Sequence, residues 1–147
     1  MSADDVKKLR ELTGAGVMDS KNALEDADGD FDKAAAILKE RGLAKADKKA
    51  TRELKSGLVD AYVHNDRVGV LVNVSCETDF VARSDDFRSL VHNLAMQIAA
   101  MSPKDVDGLM EQAYIKDEKE TIEGLVKGVI AKLGENIKVE EFTRYEV

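Results

Sequence analysis

Apolar residues recur at helical spacing through the first forty positions, in three short runs. In "ADDVKKLREL", Val6, Leu9 and Leu12 share one stripe, and Asp4 and Asp5 lie at the end where the helix dipole favours negative charge. Thr13-Gly14-Ala15-Gly16 breaks the pattern. "MDSKNALEDA" predicts a second helix that buries Met18, Ala23, Leu24 and Ala27, with Asp19 supporting its start. "DGD" ends it. A third helix, "KAAAILKER", has an apolar face of Ala34, Ala35, Ile37 and Leu38. Asp32 is its expected cap, Phe31 its hydrophobic staple and Gly42 its stop. Three helices of this size make a bundle with one thin core. The next stretch, "LAKADKKATRELK", has few large apolar residues and reads as a helical or extended linker. It divides the chain into a three-helix domain, 1–48, and a second domain, 49–147.

The period changes after the linker. "GLVDAYVH" is mostly apolar, "NDR" is a tight turn, and "VGVLVNV" carries Val68, Val70, Val72 and Val74 at period two, which predicts an antiparallel hairpin. "VSCETDFVAR" follows as a strand-to-helix connection. Ser84 then caps a helix whose stripe is Phe87, Leu90, Val91, Leu94, Ile98 and Met101, ending before Pro103. After an uneven stretch, a last helix buries Ile122, Leu125, Val126, Val129, Ile130 and Leu133 and stops at Gly134. "NIKVEEFTRYEV" reads as a third strand. Its apolar positions change phase between Val139 and Phe142, which predicts a bulge near Glu140 and Glu141. The expected fold is α+β: an N-terminal three-helix bundle, then a small antiparallel β-sheet with helices packed on one face.

Charge narrows the function. The 147 residues carry a formal charge of −7, with 44% hydrophobic and 35% charged positions. An acidic surface disfavours both a general nucleic-acid binder and an anionic membrane. No stretch approaches the apolar length of a membrane span, and the N-terminus has no signal-peptide core, so a cytoplasmic protein is the expectation. The single cysteine, Cys76, excludes an internal disulfide.

The candidate chemistry is sparse. Cys76 with His64 or His92 lacks an orienting third group for thiol catalysis. Glu77, Asp79, Asp85 and Asp86 match no metal-binding loop, and the two aspartates after Ser84 serve the helix start, so no metal is assigned. "TGAG" lacks the Lys-Ser/Thr pair of a phosphate loop and follows no strand. Lys48, Lys49 and Arg52 read as a solvated face. Phe80 stands out: an aromatic residue in a connection either folds back into the core or meets another molecule.

Three stretches, "LRELTGAGVMDSKNAL", "CETDFVAR" and "IAKLGENI", occur in an order that resembles the elongation factor Ts family. The resemblance implies a ubiquitin-associated-like (UBA-like) bundle, a dimerisation-type core, and guanine-nucleotide exchange on elongation factor Tu during translation elongation. It implies no covalent catalysis and no cofactor of the chain's own; GDP, GTP and Mg²⁺ belong to the partner. It places Thr78, Asp79, Phe80 and Val81 at the partner's nucleotide domain, with Phe80 as a wedge near the magnesium and phosphate site and Val81 packed next to it. Asp79 contacts a partner helix beside the wedge. Arg10, Val17 and Met18 fall on a second contact face. Family members are longer, and only "SPKDVDGLMEQAYIKDEKE" stands where short members carry a helical insertion, which implies a minimal single-core form that pairs as a homodimer. The alternative, suggested by the three-helix module alone, is a ubiquitin-type protein-binding adaptor.

Overall fold

A computed structural model describes residues 2–147. The three N-terminal runs form α1 (Ala3–Thr13), α2 (Val17–Asp26) and α3 (Phe31–Lys49). Ser2 and Asp5 cap the start of α1 reciprocally, each side chain taking the other's backbone N–H. Gly14 ends the helix in the left-handed conformation at φ 72°. The bundle core is thin, as its small side chains dictate: Leu9, Ala23, Leu24, Ala27, Ala34 and Leu38.

Several positions depart from the sequence pattern here. Met18 and Leu12 were expected inside, yet they are 62% and 66% exposed. The cap of α3 is Asp30, whose carboxylate accepts the Lys33 N–H, so Phe31 is the first helical residue and Asp32 lies in the first turn. Gly42 is not a stop. The helix runs through it to Lys49, because the residues beyond are good helix formers and this face packs on another helix. A Cβ at Gly42 would stand 3.4 Å from that of Ala131, so the glycine marks a close approach rather than an end. The linker is thus helical to Lys49 and then irregular as far as Ser56.

The second half has the predicted hairpin. β1 (Ser56–His64) and β2 (Val68–Cys76) pair antiparallel, and Asn65 and Asp66 take positive φ in the turn, closed by the Arg67 N–H on the His64 carbonyl. α4 (Asp79–Ala82) is one turn, and α5 (Asp85–Met101) follows, with Ser84 accepting the Phe87 N–H as its cap. Met101, expected in the buried stripe, is half exposed at the last turn.

The uneven stretch contains elements that the pattern did not reveal: α6 (Val106–Glu111) and a small hairpin of β3 (Ala113–Tyr114) and β4 (Asp117–Thr121). Gln97 on α5 is fully buried and holds this hairpin. Its amide donates to the Gln112 side chain and the Ala113 carbonyl and accepts the Ile115 N–H.

α7 (Ile122–Leu133) leads to β5 (Ile137–Glu146), which completes a sheet of order β1-β2-β5. Asn73 pairs with Glu141 and Val74 with Val139, so Glu140 is the extra residue of the predicted bulge.

Val70, Val72, Val74 and Cys76 face the helices, and Phe87, Leu94, Ile98, Ile122, Val126 and Ile130 close over them. Ala46 of α3 belongs to this larger core, so α3 spans both apolar clusters. The opposite face of the sheet is open. Val59, Val63, Leu71 and Tyr145 stand on it, 53–76% exposed.

Candidate functional site

Two groups of exposed apolar side chains flank the C-terminal end of α7. The first is the turn carrying Phe80. The second is the corner between α1 and α2.

β2 ends at Cys76, and the chain must reverse to place α5 on the sheet. Thr78 starts the reversal. Its backbone is extended, and its hydroxyl accepts the Val81 N–H at 3.3 Å, which caps α4. Asp79 lies in the first turn and accepts a hydrogen bond from the Ser56 hydroxyl of β1. Helical spacing then sends neighbours in opposite directions. Val81 and Ala82 are buried, whereas Phe80 is 86% exposed. Val81, expected next to Phe80, is 5% exposed and pins the turn to the core. Phe80 touches no core and is free to meet another molecule.

The base of the turn is tied to the segment after α7. Gly134 ends α7 at φ 76°, a conformation that favours glycine, and so aims Glu135 back at the turn. The Glu135 carboxylate accepts the Glu77 N–H (3.1 Å), the Thr78 N–H (3.0 Å) and the Thr78 hydroxyl (2.7 Å). Glu77 returns the contact, its carboxylate accepting the Asn136 N–H with Arg52 alongside. The Asn136 side chain donates to the Ala50 and Arg52 carbonyls, and Arg52 donates to the Gly134 carbonyl. "IAKLGENI" is thus the fastening of "CETDFVAR". Sequence reasoning assigned Glu135 no role, although its place in a signature stretch was a signal.

Cys76 sits at the foot of this arrangement, fully buried, its thiol donating to the Thr78 carbonyl at 3.3 Å. Burial, with the nearby Glu135 charge second, pushes the thiol pKa up. A buried thiol that holds its proton is a poor nucleophile. The histidines lie elsewhere: His92 binds Asp60 at 2.9 Å, and His64 binds the Tyr62 hydroxyl at 2.8 Å. Among the described residues, no group of three His, Cys, Asp or Glu side chains is placed to hold a metal ion.

At the corner, Gly16 caps α2 without a side-chain hydrogen bond, and the next two residues, Val17 and Met18, are 50% and 62% exposed. Arg10 is exposed and donates to the Ala15 carbonyl at 3.4 Å, which places its guanidinium over the corner. Lys132, in the last turn of α7, joins the corner to the start of α5. Its stem lies against Gly14, where an added Cβ would meet Cδ at 2.9 Å, and its ammonium pairs with Asp86 at the start of α5.

Apolar side chains displayed beside an arginine on fixed supports have the composition of a protein–protein contact surface. Fold and site together define an α+β protein with apolar side chains exposed on a hydrogen-bonded turn and on a helix corner. The comparisons with known proteins then give its family. The family model described as elongation factor TS matches residues 77–147. Elongation factor Ts of Thermotoga neapolitana is 44% identical over an alignment of 191 positions that takes in 100% of this chain and 97% of the relative. The factors of Fervidobacterium nodosum and Moorella thermoacetica are 43% and 42% identical, again over all of this chain and 98% and 95% of theirs. The chain belongs to the elongation factor Ts family. Its 147 residues are fewer than the 191 aligned positions, so these relatives carry residues that it lacks.

Proposed function

We propose that this protein is a guanine-nucleotide exchange factor for elongation factor Tu and that the turn Thr78–Val81 is its working part. The observation that carries the reading is Phe80, 86% exposed on a single helical turn that is fastened from β1 and from the end of α7. Docked near the partner's magnesium and phosphate site, the ring acts as a wedge, and Asp79 contacts the partner helix beside it. Arg10, Val17 and Met18 supply a second anchor through the UBA-like three-helix domain, residues 1–48; residues 49–147 form the core that carries the wedge. The factor binds the nucleotide-free partner more tightly than the nucleotide-bound one. Linkage then requires that it weaken nucleotide binding by the same ratio. A thousandfold acceleration of release needs about 4 kcal/mol. Burying one Phe ring contributes about 1.5–3 kcal/mol. The wedge therefore works only with the rest of the interface behind it.

Release of a fluorescent GDP from elongation factor Tu tests this reading. The wild-type protein should accelerate release strongly, and Phe80→Ala should do so about ten- to a hundredfold less well. Its melting temperature should stay near that of the wild type, because Phe80 is 86% exposed and lies outside the apolar cores. Phe87→Ala is the contrast: that ring is fully buried, and its loss should cost about 3–5 kcal/mol of stability. Exchange by Phe80→Ala equal to the wild type would sink the wedge.

The open face of the sheet supports a homodimer. Val59, Val63, Leu71 and Tyr145 form an apolar strip that a second copy of the chain covers. Sedimentation at micromolar concentration should give about twice the chain mass, and Leu71→Asp about one chain mass. A wild-type monomer under those conditions would remove the dimer and leave the exchange reading standing.

A further inference from the structure

Phe80 is 86% exposed and belongs to neither apolar core, so its direction depends chiefly on the backbone of α4. Four residues do not sustain a helix unaided. The turn persists because Thr78 caps it, and the Thr78 hydroxyl can accept the Val81 N–H only while its own proton points elsewhere. Glu135 takes that proton: its Oε2 accepts the Thr78 hydroxyl at 2.7 Å, and its Oε1 accepts the Glu77 and Thr78 N–H groups at 3.1 and 3.0 Å. A carboxylate is an acceptor only, so all three donors meet an oxygen in a single orientation. Charge assistance strengthens each bond relative to a neutral amide partner. Glu135 is itself fixed, because Gly134 turns the chain and Asn136 is bound on both sides, to Glu77 and to the Ala50 and Arg52 carbonyls.

We infer that Glu135 is the positioning residue of the exchange turn: its carboxylate sets the Thr78 cap and, through it, the direction in which Phe80 is presented. The inference rests on the exchange reading above and deepens it. Glu135 need not touch the partner; it acts through Thr78. It governs how well the docked ring is aimed and not how tightly the two proteins hold each other, since the Arg10, Val17 and Met18 anchor is untouched by its loss.

The experiment is a double-mutant comparison on the full chain, with release of fluorescent GDP from elongation factor Tu followed over a range of factor concentration. Glu135→Ala should lower the release rate at saturation about three- to tenfold, while the half-saturating concentration stays within about twofold. In a Phe80→Ala background the same change should add less than about a twofold loss, because an absent ring cannot be misaimed. Glu135→Gln, which keeps an acceptor oxygen, should fall between wild type and Glu135→Ala. If Glu135→Ala does not fold, as a thermal melt would show, Glu135→Asp, with its carboxylate drawn back by one methylene, carries the same comparison. Equal losses in the two backgrounds, a shift confined to half-saturation, or an unchanged rate would each overturn the positioning role. Phe80→Ala alone separates the two claims: a wild-type rate for that variant defeats the wedge itself, whereas a slow rate with Glu135→Ala unaffected defeats only the positioning.

Discussion

The turn at Phe80 and the corner at Val17 and Met18 both show apolar side chains to solvent, but they are built in opposite ways. The turn is held by side chains from distant parts of the chain: Ser56 on Asp79, Glu135 on Glu77 and Thr78, and Val81 in the core. The corner is shaped mostly by near neighbours, the left-handed Gly14, the bare Gly16 cap and the Arg10 contact with Ala15, with the Lys132 stem and a surface Lys45–Asp19 pair as its distant contacts. Below the turn lies a core with the fully buried Phe87, Leu94, Ile98 and Ile122; half of the buried bundle residues below the corner are alanines. Side chains fastened over long range lose little entropy on docking and keep their aim under load. A locally built corner tolerates adjustment. Under the exchange function proposed above, the difference would suit a division of labour in which the corner contributes affinity and the turn contributes the displacement of nucleotide.

The most forceful way to break this comparison is to remove each set of side chains and read rate and affinity separately. Phe80→Ala should lower the saturated rate of GDP release by the ten- to hundredfold already given, with a smaller change in half-saturation. Val17→Ser with Met18→Ser should do the reverse. Half-saturation should rise about ten- to a hundredfold, from the loss of roughly 1.5–3 kcal/mol of apolar burial, with the saturated rate near wild type. If both variants shift the same parameter, the division is wrong.

A finer test uses the two glycines that end α1 and α7. Gly14 and Gly134 have φ of 72° and 76°. Alanine at either should cost about 1–2 kcal/mol in backbone strain, a drop of several degrees in melting temperature. Around Gly134 an added Cβ meets nothing within 4 Å, so strain acts alone; at Gly14 the flexible Lys132 stem must also move aside. With stability losses of similar size, function should separate them: Gly134→Ala, which disturbs Glu135, lowers the saturated rate, and Gly14→Ala shifts half-saturation. Parallel effects on both parameters would mean that the corner and the turn are not independent.

The smallest expected effect lies at the base of the turn. Burial raises the Cys76 thiol pKa in the folded state, so its contribution to stability is fully present below the unfolded value, about 8.5, and is lost as pH rises through the folded value. The melting-temperature difference between wild type and Cys76→Ala should therefore be flat from pH 6 to about 8 and should move against the wild type above about pH 9. GDP release at neutral pH should be the same for both proteins. A slower release by Cys76→Ala would mean that the thiol takes part in aiming the turn.

Much of this molecule is written locally. Alternating valines at 68, 70, 72 and 74 predict the hairpin, the phase change after Val139 predicts the bulge at Glu140, and Ser84 marks the start of α5. These signals are strong because a strand slip or a missing cap is penalised within a few residues. The "TDFV" stretch was legible as a connection with an aromatic residue out of place. Other features had no local signal. The β3–β4 hairpin has only two and five residues in its strands, too few for a period to emerge, and it depends on Gln97, whose polar side chain reads as solvent-facing until its partners are in view.

By itself, then, the sequence determined the order of the elements, the register of the main hairpin and the exceptional place of Phe80, because periodicity, caps and turns act between near neighbours. Only the tertiary structure decided that Met18, Leu12 and Met101 lie outside, that α3 passes through Gly42 beside Ala131, that Val81 turns inward, and that Glu135 reaches back across 57 positions to Thr78. Apolar spacing states which residues share a face, not whether another element covers that face. A hydrogen bond between distant residues exists only once the chain between them has been placed.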